Sequence, residues 1–137
     1  MNIINFNGYM PSRKHPGDAG ADVYAIKDVY IRPHQTVKIP LGFGTEIPEG
    51  HVGFILPRSS MAAAGVVAQA VPIDCNYRGE IHAIITNYNS GSYQIHAGDR
   101  IAQLVIFPCI MPEFTWITPE EATKTDRGTG AFGSTGK

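Results

Sequence analysis

Cysteine is scarce in this sequence. Cys75 and Cys109 are too few and too far apart for a disulfide framework or a C-x-x-C site, which argues against a stapled secreted scaffold or a zinc ribbon and favours a reduced, cytoplasmic setting. An excess of one charge is lacking as well: Lys and Arg number 11 against 12 Asp and Glu, for a net charge of −1. No basic block stands out, so no extended nucleic-acid surface is expected. Long apolar runs are absent, and the opening M-N-I-I-N-F-N-G-Y has no basic stretch followed by an apolar one. Neither a membrane span nor a signal peptide is therefore expected. The histidines, His15, His34, His51, His82 and His96, form no H-x-x-x-H pair and do not cluster with the cysteines, and no G-x-S-x-G occurs. Those absences exclude a helix-borne zinc site and a nucleophile elbow.

Turn residues are what the chain has in quantity. Its 15 glycines and 10 prolines punctuate short β-favouring runs at 22–26, 29–32, 36–39, 42–47, 51–56, 80–88, 93–95, 101–107 and 114–117. That spacing predicts an all-β fold, a sandwich or barrel of short strands. Alternation puts Val52, Phe54 and Leu56 on one face of their run, and Ile81, Ala83 and Ile85 on one face of another. A short helix is predicted over 59–64, with Ser59 or Ser60 as N-cap and Gly65 as stop. Thr118-Pro-Glu-Glu has the residues to open a second. With 137 residues, 43% of them hydrophobic, one domain is expected, small enough for oligomerisation to help it. Its core occupies 1–125. The remainder, 126–137, reads D-R-G-T-G-A-F-G-S-T-G-K, with too little apolar surface to order itself. It is expected to be a flexible arm, which at about 3.4 Å per residue spans roughly 40 Å and reaches a neighbouring subunit.

Five segments carry residues with chemistry. In V-P-I-D-C-N-Y-R-G-E-I, the carboxylate of Asp74 precedes Tyr77 by three residues and Gly79 by five. A general-base candidate beside a flat ring and a tight turn suits a small planar substrate held next to an activated water. Around Asp22, P-G-D-A-G-A-D-V-Y-A reads first as a surface turn in which Asp18 and Asp22 cap backbone amides, and second as a carboxylate holding a hydrated Mg²⁺. L-P-R-S-S-M brings Arg58, Ser59 and Ser60 to the junction of a strand and a helix. It is either a phosphate site or a capped helix with Arg58 in an ion pair. In G-D-R-I-A-Q-L, Gln103 is an amide inside an apolar strand and needs a partner, for which a ligand oxygen is one candidate. In the arm, Arg127, Gly133, Ser134 and Thr135 have the makings of an anion nest, and Phe132 of a ring over a planar base. The arm approaches a Walker A loop but lacks its Ser/Thr for Mg²⁺ and a following helix, so a P-loop is excluded.

In this order, A-G-A-D-V-Y, P-R-S-S-M-A, P-I-D-C-N-Y-R-G-E-I, G-D-R-I-A-Q-L and R-G-T-G-A-F-G-S-T-G resemble the five motifs of the homotrimeric dUTPases. Each is modest alone, but five in register across nearly the whole chain are highly specific. The resemblance implies a jelly-roll-like β subunit, a threefold trimer with active sites at the subunit interfaces, and hydrolysis of dUTP to dUMP and pyrophosphate with Mg²⁺. It implies that Asp74 deprotonates the water attacking the α-phosphorus and touches the 3′-hydroxyl. Tyr77 would pack under the sugar and exclude a 2′-hydroxyl, while the backbone around Pro72 and Ile73 would bond uracil and refuse a 5-methyl group. Arg58, Ser59, Ser60 and Gln103 would meet the α- and β-phosphates, with Mg²⁺ bridging all three phosphates and Asp22 reached through metal-bound water. Arg127, Gly133, Ser134 and Thr135 would close over the γ-phosphate and Phe132 would stack on uracil. Catalysis of that kind works by positioning and charge neutralisation.

Val71 and Ala131 depart from the pattern, standing where the family has glycine. The related dCTP deaminases share the R-S-S segment, but they place an arginine two residues before the aspartate and a glutamate ten after it, where this chain has Pro72 and Ile84. The other alternative is a non-catalytic or regulatory phage or viral protein on the same scaffold. Intact Asp74, Tyr77 and arm argue against it.

Overall fold

Closely spaced glycines and prolines keep strands short, and the computed structural model, which describes residues 1–129, contains eleven of them and one helix. In chain order they are β1 (Ile3–Asn5), β2 (Ala21–Tyr24), β3 (Val29–Ile31), β4 (Thr36–Pro40), β5 (Phe43–Thr45), β6 (His51–Leu56), α1 (Ser59–Ala63), β7 (Val66–Ala68), β8 (Val71–Ile73), β9 (His82–Asn87), β10 (Tyr93–Ile95) and β11 (Arg100–Pro108). Every pairing is antiparallel. One sheet runs β2-β11-β6-β8 and another β4-β9-β7, with β1-β5 and β10-β3 as two-stranded additions. The sheets remain open and enclose one core, the all-β fold that the strand spacing predicts, in the jelly-roll-like arrangement that the resemblance implies. Val23, Ile31, Ile39, Phe43, Ile55, Ile85, Ile95 and Ile101 form its centre, none more than 1% exposed. Burial of each such side chain contributes roughly 1.5–3 kcal/mol. No helix among the described residues is long and apolar enough to cross a membrane.

Several local expectations change. Strand β6 has the predicted bounds, but Gly53 and Ile55 face the core, and Val52, Phe54 and Leu56 make a half-buried outer face. Phe54 meets Phe107 edge to face at 5.9 Å on that outer side. Gly53 faces inward because there is no room for more: a Cβ there would lie 2.7 Å from Ile47. Ile81, Ala83 and Ile85 are all buried, as expected. The run 114–117 is no strand; Phe114 and Trp116 stand 95% and 101% exposed, because β-favouring residues without a partner strand form no ladder. Strands β1, β7 and β8 lie outside the predicted runs.

Helix α1 stops where predicted, with Gly65 at φ 76° and its amide donating to the Ala62 carbonyl at 3.0 Å. Its N-cap is Arg58, not a serine, and no side chain caps it. Thr118 opens only a turn. Its amide donates to Glu121 Oε2 at 2.8 Å and the Glu121 amide to Thr118 Oγ1 at 3.4 Å. The capping pair is present, but A-T-K-T-D-R-G beyond it offers no apolar face to hold a helix against the core.

Candidate active site

Arg100 and Gln103 are three residues apart on β11, a spacing that points side chains to opposite faces of a regular strand. A bulge between Arg100 and Ala102 alters this, so that Arg100 lies opposite Tyr24, Ala102 opposite Val23 and Gln103 opposite Asp22. Ile101 and Ala102 both turn inward, at 1% and 0% exposure. Arg100 and Gln103 thereby reach the face that carries Asp22. There Arg58 Nε donates to Asp22 Oδ1 at 3.0 Å and Arg100 Nη1 to Asp22 Oδ2 at 3.2 Å. Arg58 Nη1 also donates to the Arg100 carbonyl at 2.8 Å. One carboxylate and one carbonyl thus hold together two guanidiniums that would otherwise repel. Gln103 Nε2 donates to the Pro57 carbonyl at 2.9 Å. Its amide packs over Gly20, where a Cβ would lie 2.7 Å from Gln103 Cδ. A cavity of about 340 Å³ opens beside this cluster, lined by Arg58, Ser60, Asp99 and Arg100 among others.

A second cavity, of about 250 Å³, lies against β8, the edge strand of its sheet, where proline's missing N–H is tolerated. Beyond Ile73 the chain turns, the Tyr77 amide donating to the Asp74 carbonyl at 3.1 Å. Tyr77 Oη donates to the Glu80 carbonyl at 3.0 Å. The ring lies over Gly79, where a Cβ would stand 2.6 Å from Tyr77 Cζ. Glu80 Oε1 accepts from the Gly42 amide at 3.0 Å, and His82 Nδ1 lies 3.1 Å from the Glu80 carbonyl. Asp74 is exposed, and among the described residues its carboxylate takes part in no hydrogen bond or ion pair.

Of the residues singled out in the sequence, Arg58 and Ser60 line the first cavity and Pro72, Ile73, Asp74 and Tyr77 the second. No residue lines both. Ser59 is exposed at the start of α1 beside Ser60. Asp22 and Gln103 line neither; they brace Arg58 and the Pro57 carbonyl. Asp18, not Asp22, is the capping carboxylate, accepting from the His15 amide at 2.9 Å. Arg127 is exposed in the turn near the end of the described residues, and Phe132, Gly133, Ser134 and Thr135 lie outside them. Sequence reasoning missed Arg100, whose signal was a cation three residues from a buried-strand amide, and the structural demands on Gly20 and Gly79. Among the described residues no group of three or more His, Cys, Asp or Glu is placed to hold a metal. With both its oxygens on guanidiniums, Asp22 suits an ion reached through water better than one bound directly.

The family model for dUTPase matches residues 7–136. The deoxyuridine 5′-triphosphate nucleotidohydrolase of Picosynechococcus sp. is 41% identical over 133 residues, covering 95% of this chain and 92% of that protein. The enzyme of the same name from Mycolicibacterium vanbaalenii is 41% identical over 134 residues, covering 93% and 87%. Among solved structures, a mutant dUTPase of Staphylococcus bacteriophage 80alpha with dUpNHpp matches with a TM-score of 0.91 at 30% identity, covering 99% of this chain and 98% of that one. A mutant dUTPase from phage phi11 of S. aureus, described for its coordination of a structural Mg(II) ion, matches with a TM-score of 0.80 at 28% identity, covering 85% and 95%. Five motifs in order, two cavities lined largely by residues of the second, third and fourth, and a family model spanning almost the full sequence agree: this chain belongs to the dUTPase family.

Proposed function

We propose that the chain hydrolyses dUTP to dUMP and pyrophosphate, with Asp74 activating the attacking water. The observation that carries this reading is the Asp74 carboxylate itself, without a partner among the described residues and placed in a cavity beside a ring fixed over Gly79. A carboxylate with free lone pairs can take a proton from water as that water attacks the α-phosphorus, and can accept from a 3′-hydroxyl. Tyr77, tethered through Oη to the Glu80 carbonyl, is a flat wall under the deoxyribose that leaves no space for a 2′-hydroxyl. The edge of β8 offers backbone groups around Pro72 and Ile73 to the uracil ring, close enough to refuse a 5-methyl group.

Arg58, Ser59 and Ser60 serve the α- and β-phosphates, and Gln103 supports them by fixing Pro57. When bound, Mg²⁺ would neutralise charge on the triphosphate, and Asp22 would help hold it through water. Residues 1–125 form the β domain, and 126–137 are the arm that closes the site: Arg127, Gly133, Ser134 and Thr135 on the γ-phosphate, Phe132 on uracil. A homotrimer with shared sites fits two observations. No residue lines both cavities, and Ile110, Phe114 and Trp116 are 89%, 95% and 101% exposed, an apolar run suited to burial against another copy. Free Cys75 and Cys109 accord with a cytoplasmic site of action. A deaminase reading has no support, since Pro72 and Ile84 line the Asp74 cavity where an arginine and a glutamate would be needed.

Hydrolysis of dUTP in ¹⁸O-labelled water tests the chemistry. Label in dUMP and none in pyrophosphate is expected, and label in pyrophosphate would move the attack to the β-phosphorus. The shared site is tested by mixing Asp74→Asn protein with protein lacking 128–137 under subunit exchange. Recovered activity is expected; its absence despite verified exchange would mean that each arm serves its own subunit.

A further inference from the structure

The Asp74 cavity has two chemically different ends. Asp74, Tyr77 and Glu80 sit at the turn, whereas Val71, Ile84 and Lys38 line the other end. The register fixes this: Lys38 lies directly opposite Ile84 on the β4-β9 ladder, beyond the Pro40 and His82 pair that is nearer the turn. Val71 stands three residues up the strand from Asp74, about 10 Å at the usual rise per residue. That matches the length of a pyrimidine deoxyribonucleoside laid along the cavity. A base whose sugar lay on Tyr77 would extend its outer edge toward the end of the cavity that Lys38 lines.

Apart from the Asp74 carboxylate, the polar side chains nearer the turn are engaged with protein: Tyr77 Oη with the Glu80 carbonyl, Glu80 Oε1 with the Gly42 amide, and His82 Nδ1 with the Glu80 carbonyl. Lys38 is exposed and, among the described residues, its ammonium group makes no hydrogen bond or ion pair. An ammonium group has three donors and no acceptor. At the outer edge of a pyrimidine, uracil presents a carbonyl oxygen and cytosine an amino group. An ammonium can donate to the first, but meets a second donor in the other.

We propose that Lys38 is a specificity-determining residue that reads the 4-keto oxygen of the base and so favours dUTP over dCTP. The proposal rests on the dUTP-hydrolysis reading for its substrate and for the seat of the sugar on Tyr77. Lys38→Met keeps the stem and removes the charge at an exposed position, and unchanged melting would show that the fold is intact. The ratio of kcat/KM for dUTP to that for dCTP is expected to fall by roughly tenfold, mainly through a higher KM for dUTP. Lys38→Arg, which restores a donor, should recover most of the ratio. An unchanged ratio in folded Lys38→Met protein overturns the proposal. Binding of dUpNHpp and its cytosine counterpart is measured in parallel to separate the two readings. If the protein turns over neither nucleotide but prefers dUpNHpp, and Lys38→Met loses that preference, the reaction assignment fails and the role of Lys38 stands. Equal preference in both proteins removes Lys38 as the reader of the base.

Discussion

Two charged clusters on this small β domain hold their charges in opposite ways. Around Asp22 every carboxylate oxygen is matched: Arg58 and Arg100 share it, Arg58 reaches across to the Arg100 carbonyl, and Gln103 fixes the strand end at Pro57. Around Asp74 the neighbouring groups bond to one another and leave the carboxylate unmatched. The first arrangement stores stability and geometry, so that cations face a cavity at fixed positions before any phosphate arrives. The second keeps an acceptor available for a proton. Substitutions should therefore separate: those at Asp74 cost chemistry and little stability, and those at Asp22 or Arg58 cost both.

The sharpest break of the comparison is Asp74→Asn. Size and most hydrogen bonding are retained while the base is removed, so turnover of dUTP should fall by about 10²–10⁴-fold. No folded-state bond of the described residues is lost, so the midpoint of urea unfolding should not move. Pyrophosphate release above half the wild-type rate would remove Asp74 from the mechanism, and a large drop in the unfolding midpoint would undo the contrast between the clusters.

Arg58→Met should cost stability as well as function. Its side chain is 23% exposed and that of Asp22 20%, so this ion pair is partly sheltered from water. Loss of the hydrogen bonds to Asp22 and the Arg100 carbonyl should destabilise the fold by about 1–3 kcal/mol, along with a rise in KM as the phosphate-side cation disappears. A double-mutant cycle with Asp22→Asn should give a coupling between the two sites, because they act through one contact. Additive effects on unfolding would mean that the pair contributes nothing beyond its separate parts.

How much of this was legible in the sequence differs between the two clusters. Asp74, Tyr77 and Gly79 lie within one short segment, and local turn chemistry was enough to place them together. The Asp22 cluster was not readable in that way. Its members come from β2, the start of α1 and β11, and a bulge at Ile101 puts Arg100 and Gln103 on one face despite their odd spacing. A bulge leaves no period in the sequence. The same limit explains 114–117, where strand composition was present but a partner strand was not, and Lys38, a lone charge on an exposed strand face like many others.

Tyr77→Ala sharpens the comparison within the Asp74 cavity, since it leaves the base in place and removes the wall. If the ring excludes a 2′-hydroxyl by contact, the preference for dUTP over UTP should fall by about tenfold, with UTP gaining most of the change. Equal kcat/KM ratios for wild type and a folded variant would assign the discrimination elsewhere.

Gly79→Ala is the smallest perturbation and the most specific. No positive φ requires glycine at this position, so alanine can take up the backbone conformation. What it lacks is space on one side: the new Cβ would lie 2.6 Å from Cζ and 3.0 Å from Cε2 of Tyr77, atoms at the free end of a side chain that can swing away. The three nearest atoms all belong to the Tyr77 side chain, so the cost falls on the ring's position and on its bond to the Glu80 carbonyl, while the added methyl slightly restrains the unfolded chain. Stability should therefore change by less than about 1 kcal/mol, and the dUTP-over-UTP preference should drop about two- to threefold, in the direction of Tyr77→Ala but short of it. Combining Gly79→Ala with Tyr77→Ala should add nothing to the loss of preference, because the alanine at 79 then has no ring to displace. A further fall in the double variant would mean that Gly79 acts on the sugar directly and not through Tyr77.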